Sequence, residues 1–366
     1  MAESICFISL PAYGYFSGGP AFGSRQFYLL SLHLRQDFEV SFIVGDYGQP
    51  RRKRRRGVTL YRAYRPVTDA SQFRRVGQAV KFADAVHRSG ADLFFVEGRP
   101  AKLLFYVPII AAQGGKVVYH VVSDEHVEAQ CAGVGPSALA GIHAMLRRLD
   151  GVVTQNEYQR ESLKVLHGIG STVIPSGYPP AESVLPHHSR ECLLWVGRLE
   201  RRLKRPHLYL DIAEEVPEAE FLLAGPKEDE EYAASLLGRV SSLGNVTYLG
   251  SVPPGEIHQY YRRAIALVNT SAKEGFPNTF LEAWRYATPV LSLSVDPNRF
   301  LDTPDSACFG NDDFEELVAV TRRASTSTAL RERIGRDGLE TFRNNYQIER
   351  VADSYRDLIE STCGDK

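Results

Sequence analysis

The chain has 366 residues, of which 43% are hydrophobic and 24% charged, and its formal net charge is -1. At ~150 residues per domain this length predicts two domains, each able to bury its own core, and the balanced composition excludes a wholly disordered chain. The five cysteines lack metal-ligand or redox spacing. This argues against a disulfide scaffold or a zinc module and favours a reducing, cytoplasmic compartment.

The charge is distributed unevenly along the chain. Residues 1–180 carry 21 Lys and Arg against 14 Asp and Glu, whereas the remainder carries 22 against 30. A basic half and an acidic half are expected to meet different partners. The first residues lack the basic region of a signal peptide, and the longest apolar run, 103–112, is too short for the ~20 residues of a membrane-spanning helix.

Short apolar runs alternate with amphipathic stretches in the first half of the chain. Residues 5–10 predict a strand, and residues 24–36 predict a helix with Ser24 as its N-cap. Further strands are predicted at 40–44, 93–96, 117–122 and 151–154. Such alternation favours a parallel sheet covered by helices on both faces.

The pattern restarts after the proline-rich segment 174–180, which we interpret as a stiff interdomain joint. More strands are predicted at 193–196, 219–224, 246–249, 266–269 and 289–293, and a last helix at 347–362. We therefore predict an α/β fold of two Rossmann-like, doubly wound domains, 1–178 and 179–345, that face a cleft and bind ligands at their strand ends. Residues 346–366 are predicted to form a helix that packs back on the first domain.

A glycine-rich loop, Tyr13–Ser24, follows the first predicted strand. Glycines let the backbone approach a phosphate or a sugar closely. Gly18 and Gly23 match the outer glycines of a P-loop, but Ser24 stands where that motif requires Lys, and Pro20 breaks the GxGxxG pattern. The departures argue against NTPase and dehydrogenase functions and leave a flexible surface loop open.

The most informative segment is SAKEGFPNTFLEAW, residues 271–284. It follows a predicted buried strand and predicts a loop and then a helix that begins near Pro277 or Asn278. The free N–H groups of such a helix start suit a diphosphate. Phosphate would repel Glu274 in the loop and Glu282 in the helix, so both carboxylates fit sugar hydroxyls better. The alternative is a surface position for Glu282 and a solvated loop for Glu274.

The string EGFPNTFLEAW resembles the E-x7-E motif of the family 4, retaining glycosyltransferases of the GT-B fold. Other segments resemble that family in the same order, namely GGPAFGSRQFYLL (18–30), IPSGYP (174–179), WVGRLERRLKRP (195–206), FLLAGP (221–226) and VTYLGSVP (246–253). The resemblance covers nearly the whole chain and is densest from Leu193 to Leu293. It implies a GT-B fold and a UDP- or GDP-sugar as donor substrate, with no prosthetic group.

The resemblance also implies roles for individual residues. Arg198 and Lys204 match the basic pair that binds the donor diphosphate and would neutralise it as it leaves. Glu282 would hold the ribose hydroxyls, and Glu274 would contact the donor sugar as a catalytic residue. A solvated basic loop stays open for Arg198 and Lys204, because further arginines crowd their stretch. The other implied donor-binding residues are Gly18, Gly19, Gly225, Val252, Gly275, Phe276, Pro277, Asn278 and Thr279.

The chain departs from the family's pattern in two places. His120 ends a predicted strand where family members often carry a catalytic or sugar-contacting histidine, but VVSD follows it rather than Asp or Gly. We take His120 as a candidate catalytic residue, with a structural histidine as the alternative and His126 as a rival. The segment SVDPNR, 294–299, stands where the family often has a Gly-Gly loop, which obscures the donor-sugar preference.

A dense cationic run, Arg51–Arg56, lies between two predicted strands. We interpret it either as a solvated loop or as a contact with an anionic membrane surface near a lipid-linked acceptor, where each basic residue contributes ~1 kcal/mol. The basic first half favours the membrane, because acceptors of this family bind mainly to that domain. Binding of nucleic acid is disfavoured, since the run is short and no recognition fold accompanies it.

We therefore predict a retaining, metal-independent glycosyltransferase that moves a sugar from a nucleotide-diphosphate sugar to a hydroxyl acceptor. The acceptor would be a glycan or a lipid-linked saccharide in polysaccharide or glycolipid biosynthesis. No Asp-x-Asp metal motif lies at a predicted strand end, so no metal site is predicted. The predicted location is cytoplasmic, with peripheral binding to the inner face of the cell membrane left open. The alternatives are a nucleotide-sugar 2-epimerase of the same fold and a catalytically silent nucleotide-sugar binding protein.

Overall fold

The computed structural model describes residues 3–18, 25–65, 72–127, 135–296, 308–309 and 312–364. The chain divides into two compact units, one made of Met1–Gly177 with Ile348–Lys366 and the other of Tyr178–Gln347. The second unit is therefore inserted between the main part of the first unit and its last helix. Gly19 and Ser24 lie outside the described residues.

The first unit is built on an eight-stranded sheet. Its strands are β1 (Ser4–Ile8), β2 (Glu39–Val44), β3 (Arg52–Arg55), β4 (Val58–Arg62), β5 (Leu93–Glu97), β6 (Lys116–His120), β7 (Gly151–Thr154) and β8 (Thr172–Val173). Their order is β3-β4-β2-β1-β5-β6-β7-β8, and all neighbours are parallel except β3 and β4. The chain order reverses between β1 and β5, and such switch points open ligand crevices at the carboxyl ends of strands.

Helices cover both faces of this sheet. They are α1 (Tyr13–Ser17), α2 (Arg25–Leu34), α3 (Gln72–Ser89), α4 (Leu103–Ala111), α5 (Pro136–Leu146) and α6 (Glu157–Ser162). Alternate residues of β1 enter opposite cores: Cys6 packs in the core with α3, α4 and α5, whereas Phe7 packs in the core with α2. This two-sided burial is the doubly wound arrangement that the apolar runs predict.

The second unit contains a six-stranded parallel sheet. Its strands are β9 (Cys192–Val196), β10 (Glu220–Ala224), β11 (Val246–Gly250), β12 (Ala264–Asn269), β13 (Val290–Ser292) and β14 (Cys308–Phe309), in the order β11-β10-β9-β12-β13-β14. Its helices are α7 (Pro206–Glu215), α8 (Glu230–Ser242), α9 (Ile257–Arg263), α10 (Asn278–Trp284), α11 (Phe314–Thr326) and α12 (Thr328–Asn345). The two Rossmann-like sheets confirm the predicted fold class.

The last helix, α13 (Ile348–Gly364), belongs to the first unit. Val351, Tyr355 and Ile359 are fully or almost fully buried in the core that also contains Phe27 and Leu30 of α2. This spacing places one apolar stripe against the first sheet, as the 3.6-residue period predicts.

Two local interpretations of the sequence are wrong. The first part of the predicted glycine loop is helix α1, which ends at Gly18 with φ 78° and a bond from the Gly18 N–H to the Gly14 carbonyl. The run Arg51–Arg56 is not a loop: Arg52–Arg55 form β3, which pairs antiparallel with β4. The reversal occurs at Arg56 and Gly57, both with positive φ, which suits a tight hairpin.

Strand β3 escapes detection because every residue in it is basic, so no apolar alternation marks it. It lies at the edge of the sheet, where charged side chains hinder pairing with another strand. Among the described residues, no helix combines the length and the apolar character that crossing a membrane requires.

Candidate active site

Two loops meet at the carboxyl edge of the second sheet. Strand β9 runs into the loop 197–205, and its neighbour β12 runs into the loop 270–277. The Ala272 N–H donates to the Leu203 carbonyl at 2.7 Å, which ties the loops together. Because parallel strands end at the same edge, residues far apart in the sequence converge here.

The convergence joins two predicted site residues in an ion pair. Lys204 Nζ lies 2.8 Å from Glu274 Oε2, and their side chains are 20% and 14% exposed. Asn269 Nδ2 donates to the other carboxylate oxygen of Glu274 at 3.1 Å. Glu274 is therefore a held, largely buried carboxylate rather than a solvated loop residue, and that alternative is wrong.

The turn that carries Lys204 is organised by Glu200, a residue that no sequence motif marks. Its carboxylate accepts from the backbone N–H groups of Arg202 and Leu203, each at 2.6 Å, and from that of Lys204 at 3.2 Å. Burial raises the pKa of Glu200, but these backbone donors outweigh burial and leave the pKa lowered. The turn thus has an internal clamp that fixes where Lys204 projects.

Arg205 has a different role from its neighbour. It adopts a left-handed conformation, φ 49°, and Nε donates to the Thr270 carbonyl at 2.7 Å while Nη2 donates to Ser294 Oγ at 2.6 Å. Withdrawal from water lowers the pKa of Arg205, and Asp312 opposes that change. Arg205 therefore braces the two loops, whereas Lys204 contacts the carboxylate.

Arg198 lies at the start of the same loop and is more exposed. Its Nη1 lies 2.6 Å from Glu228 Oε1, with side chains 52% and 42% exposed. The sequence predicts a solvated helix start at 228–231. In the structure α8 begins at Glu230 after the cap Asp229, and Glu228 instead pairs with Arg198.

Glycine is required where β9 and β10 end. Gly225 has φ 151°, and a Cβ on it would lie 1.5 Å from the Gly197 carbonyl oxygen. Its N–H donates to the Gly250 carbonyl at 2.8 Å. Three strand ends therefore press together at this point, and Val252, half-buried, follows two residues after Gly250.

The structure also shows where helix α10 begins and how far Glu282 is buried. Helix α10 begins at Asn278 with Pro277 as its N-cap, and Phe276 and Pro277 are buried. Gly275 and Thr279 are half-buried, and Asn278 is exposed. Glu282 is only 8% exposed, so the alternative of a surface carboxylate is wrong. A carboxylate kept inside the fold is uncommon unless it has partners.

His120 of the first unit lies away from any exposed surface. It is 1% exposed, with its ring centroid 5.5 Å from that of Phe27 and 6.4 Å from that of Tyr355. Neither ring nitrogen has a hydrogen-bond partner among the described residues. Burial lowers the pKa of His120 to about 4, so the ring is neutral near pH 7. Helix α13, which supplies Tyr355, creates this environment.

The loops of the second unit lie in a segment that matches a known family. Residues 190–327 match the model described as "Glycosyl transferases group 1". A "Glycosyltransferase 1 domain-containing protein 1" of Xenopus tropicalis is 24% identical over 163 residues, which cover 43% of this chain and 47% of that relative. The match thus spans about half the length of that curated relative.

Solved structures are similar over the whole chain. Sucrose-phosphate synthase from Thermosynechococcus elongatus has a TM-score of 0.80 and 19% identity, with 100% of both chains covered. Anabaena HepE in complex with UDP and glucose has a TM-score of 0.75 and 14% identity, covering 98% of this chain and 100% of that one. These likenesses, with the two Rossmann-like sheets, confirm the predicted GT-B fold.

Proposed function

We propose that this chain is a glycosyltransferase that moves a sugar from a nucleoside diphosphate sugar to a hydroxyl acceptor, with retention of configuration. The observation that carries the proposal is the Lys204–Glu274 pair at the carboxyl edge of the second sheet. A cation and a carboxylate held side by side match a donor that presents a diphosphate beside sugar hydroxyls. The match of residues 190–327, which include both side chains, supports it.

In the proposed donor complex, Lys204 and Arg198 bind the diphosphate, Glu274 accepts from hydroxyls of the donor sugar, and Glu282 accepts from the ribose. Gly225 and Val252 lie near the base, and the N–H groups of residues 275–279 face the sugar and phosphates. HepE was solved with UDP and glucose, so UDP is the first nucleotide to test.

The proposed reaction exchanges two bonds at the anomeric carbon. The bond from that carbon to the phosphate oxygen breaks, while the acceptor oxygen bonds to the same face. The acceptor proton passes to the leaving phosphate, so no protein nucleophile takes part. Lys204 and Arg198 offset the charge that grows on the diphosphate, and we propose that this transfer proceeds without a metal ion.

We propose that the reaction does not use His120. Its ring nitrogens contact no described polar group, and the pKa near 4 makes it a poor general base at neutral pH. The catalytic assignment of His120 thus has less support than that of Glu274.

The test combines nucleotide binding with turnover. Calorimetric titration of UDP and GDP identifies the base, and release of the nucleotide from its sugar measures turnover with acceptors or with water. We expect Glu274→Ala to abolish release while UDP still binds, because Glu274 contacts the sugar rather than the base. Glu231→Ala, an exposed acid of α8, is the matched control and should behave as wild type.

Unchanged turnover of Glu274→Ala would contradict the proposal. Incubating the donor alone and examining its sugar by NMR separates the epimerase alternative, since an epimerase would invert the sugar at carbon 2. Nucleotide binding without release or epimerisation across a broad acceptor panel would favour the silent binding protein.

We also propose that the hairpin β3–β4 brings this cytoplasmic enzyme to anionic membrane. Arg52, Arg54 and Arg55 are exposed on the edge strand. Other basic residues of the run are already engaged: Arg51 pairs with Asp84 at 3.0 Å, and Lys53 donates to the Tyr13 hydroxyl at 3.2 Å.

Sedimentation with anionic vesicles tests this contact. Replacing Arg52, Arg54 and Arg55 by Gln spares the engaged residues and should weaken binding by ~3 kcal/mol, from ~1 kcal/mol per charge. The same replacement of Arg147, Arg148 and Lys164, exposed elsewhere on the first unit, is the control. Equal sedimentation of the hairpin variant and the wild type would contradict the proposal.

A further inference from the structure

Three basic side chains gather at the carboxyl edge of the first sheet. Arg99 and Lys102 lie in the turn after β5, where the Lys102 N–H donates to the Arg99 carbonyl at 3.0 Å. His126 ends the turn that follows β6. Strands β5 and β6 are parallel neighbours with Glu97 opposite His120, so both turns leave the same edge.

Within the described part of the chain, the charges of these groups are only partly offset, since Glu97 acts on Lys102 without forming a salt bridge. Among the described residues, none of the three forms a salt bridge with a carboxylate. Burial lowers the pKa of Lys102; Glu97 opposes this change and Arg99 adds to it. Burial, then Lys102 and Arg99, lower the pKa of His126 to about 4. Lys102 therefore lies in the positive field of Arg99, and His126 in the field of both, an arrangement that an anion would relieve.

The ammonium of Lys102 lies over bare backbone. Gly98 has φ 99°, and Lys102 Nζ is 2.7 Å from the position that a Cβ on Gly98 would occupy. The Gly98 carbonyl accepts from the Tyr119 hydroxyl at 2.6 Å, which holds this backbone in place. His126 Nδ1 is buried without a hydrogen-bond partner. A side chain at position 98 would therefore collide with the ammonium, and glycine lets Lys102 approach the backbone closely.

We propose that Arg99, Lys102 and His126 form a subsite for a phosphoryl group on the acceptor. The inference rests on the proposed function and extends it by naming an acceptor class. A phosphate monoester offers about two negative charges and three acceptor oxygens, which matches a guanidinium fork, an ammonium and an imidazole. A carboxylate offers one charge and fits the cluster less well.

The experiment measures binding of phosphorylated probes to the full chain saturated with UDP. Inorganic phosphate and glucose 6-phosphate are titrated by calorimetry, with glucose and glucuronate as comparisons. We expect Lys102→Gln to weaken both phosphate probes about tenfold and Lys102→Arg to keep most of the affinity. Arg99→Gln should also weaken them. Lys81→Gln, an exposed lysine of α3 that has no ion pair with any residue the structure describes, is the control and should have no effect.

A second arm separates soluble phosphates from lipid phosphates. Vesicles that contain phosphatidic acid are sedimented with the variant in which Arg52, Arg54 and Arg55 are Gln, so that the hairpin does not contribute. Binding that Lys102→Gln reduces in this background assigns the phosphoryl group to a lipid. Reduction only with the soluble probes assigns it to a free sugar phosphate.

The proposal is overturned if Lys102→Gln binds every phosphate probe as tightly as the wild type, if the wild type binds none, or if glucuronate alone depends on Lys102. The UDP titration in the same samples keeps the two proposals apart. Normal UDP binding without phosphate binding removes only the acceptor subsite, whereas absent nucleotide binding removes the proposed function.

Discussion

The carboxyl edges of the two sheets carry charge in opposite ways. In the second unit the charges are paired: Lys204 meets Glu274, and Arg198 meets Glu228. In the first unit Arg99, Lys102 and His126 influence one another, and none of them forms a salt bridge within the described ranges. The paired edge suits a ligand that has both hydrogen-bond donors and acceptors. The edge with unpaired cations is stabilised most by a ligand that carries negative charge.

The largest effect is expected from breaking the buried pair of the second edge. Lys204→Met leaves Asn269 as the described partner of Glu274 and removes the charge that offsets the leaving diphosphate. We expect kcat/KM to fall roughly 100- to 1000-fold. Lys227→Met removes a more exposed lysine, paired with Glu230 at 3.8 Å, and should leave kcat/KM unchanged. Similar losses in both variants would show that the pairing at this edge is not specific.

The backbone of that edge can be broken without changing its charge. Gly225→Ala would drive a methyl group into the Gly197 carbonyl, and we expect unfolding free energy of the second unit to fall by roughly 3 kcal/mol. Denaturant titration measures the loss. Gly238→Ala is the control: a Cβ there meets no atom within 4 Å, so helix α8 should gain about 0.5–1 kcal/mol. Equal stability of Gly225→Ala and wild type would refute the close approach.

The pH dependence of stability tests the burial of His120 in the first unit. Its pKa is about 4 in the folded chain and 6.5 when unperturbed, so the unfolded state binds the proton more readily. Stability that is complete above pH 6.5 is therefore lost as the pH falls, by roughly 2 kcal/mol at pH 5. Denaturation at pH 7 and pH 5 should show a smaller loss for His120→Phe than for wild type, while the exposed control His188→Gln matches wild type.

The same variant tests catalysis. We expect His120→Phe to keep most of the turnover, because the ring packs between Phe27 and Tyr355. Loss of turnover in a folded His120→Phe protein that still binds UDP would support the catalytic assignment instead.

The smallest effect is expected at the exposed pair. Arg198→Gln removes a contact whose partners are about half exposed, and such pairs contribute about 0–1 kcal/mol to stability. We expect little change in unfolding free energy and a few-fold weaker UDP binding that fades at high salt. If Arg198→Gln lowered kcat/KM as much as Lys204→Met does, burial would not distinguish the two ion pairs.

The sequence predicts the sheets and the segment that carries Glu274 because both depend on local pattern. Apolar runs identify the buried strands, and the spacing of Glu274 and Glu282 lies within one loop and helix. The ion pair from Lys204 to Glu274 spans 70 positions, and it forms because β9 and β12 become neighbours. No local pattern reveals that adjacency.

Other features could not be predicted from the sequence, because the residues that create them lie elsewhere in the chain or show no apolar pattern. His120 ends a strand as predicted, but α13 returns from the end of the chain to bury it. Strand β3 has no apolar alternation, since its partner β4 supplies the buried residues. Glu200 shows no motif, because its role is to accept three backbone N–H groups of its own turn.

The insertion of residues 178–347 between the two parts of the first unit has a consequence for synthesis. Because a ribosome synthesises a chain in the N-terminal to C-terminal direction, every residue of the second unit is made before α13. The Tyr178 N–H donates to the Tyr346 carbonyl at 2.9 Å and closes the second unit with its own residues. Until α13 is synthesised, one face of the core of the first unit stays uncovered, because Val351, Tyr355 and Ile359 follow the second unit in the chain. The unit that begins the chain is thus completed after the unit that follows it, and truncation before residue 348 would expose that apolar face.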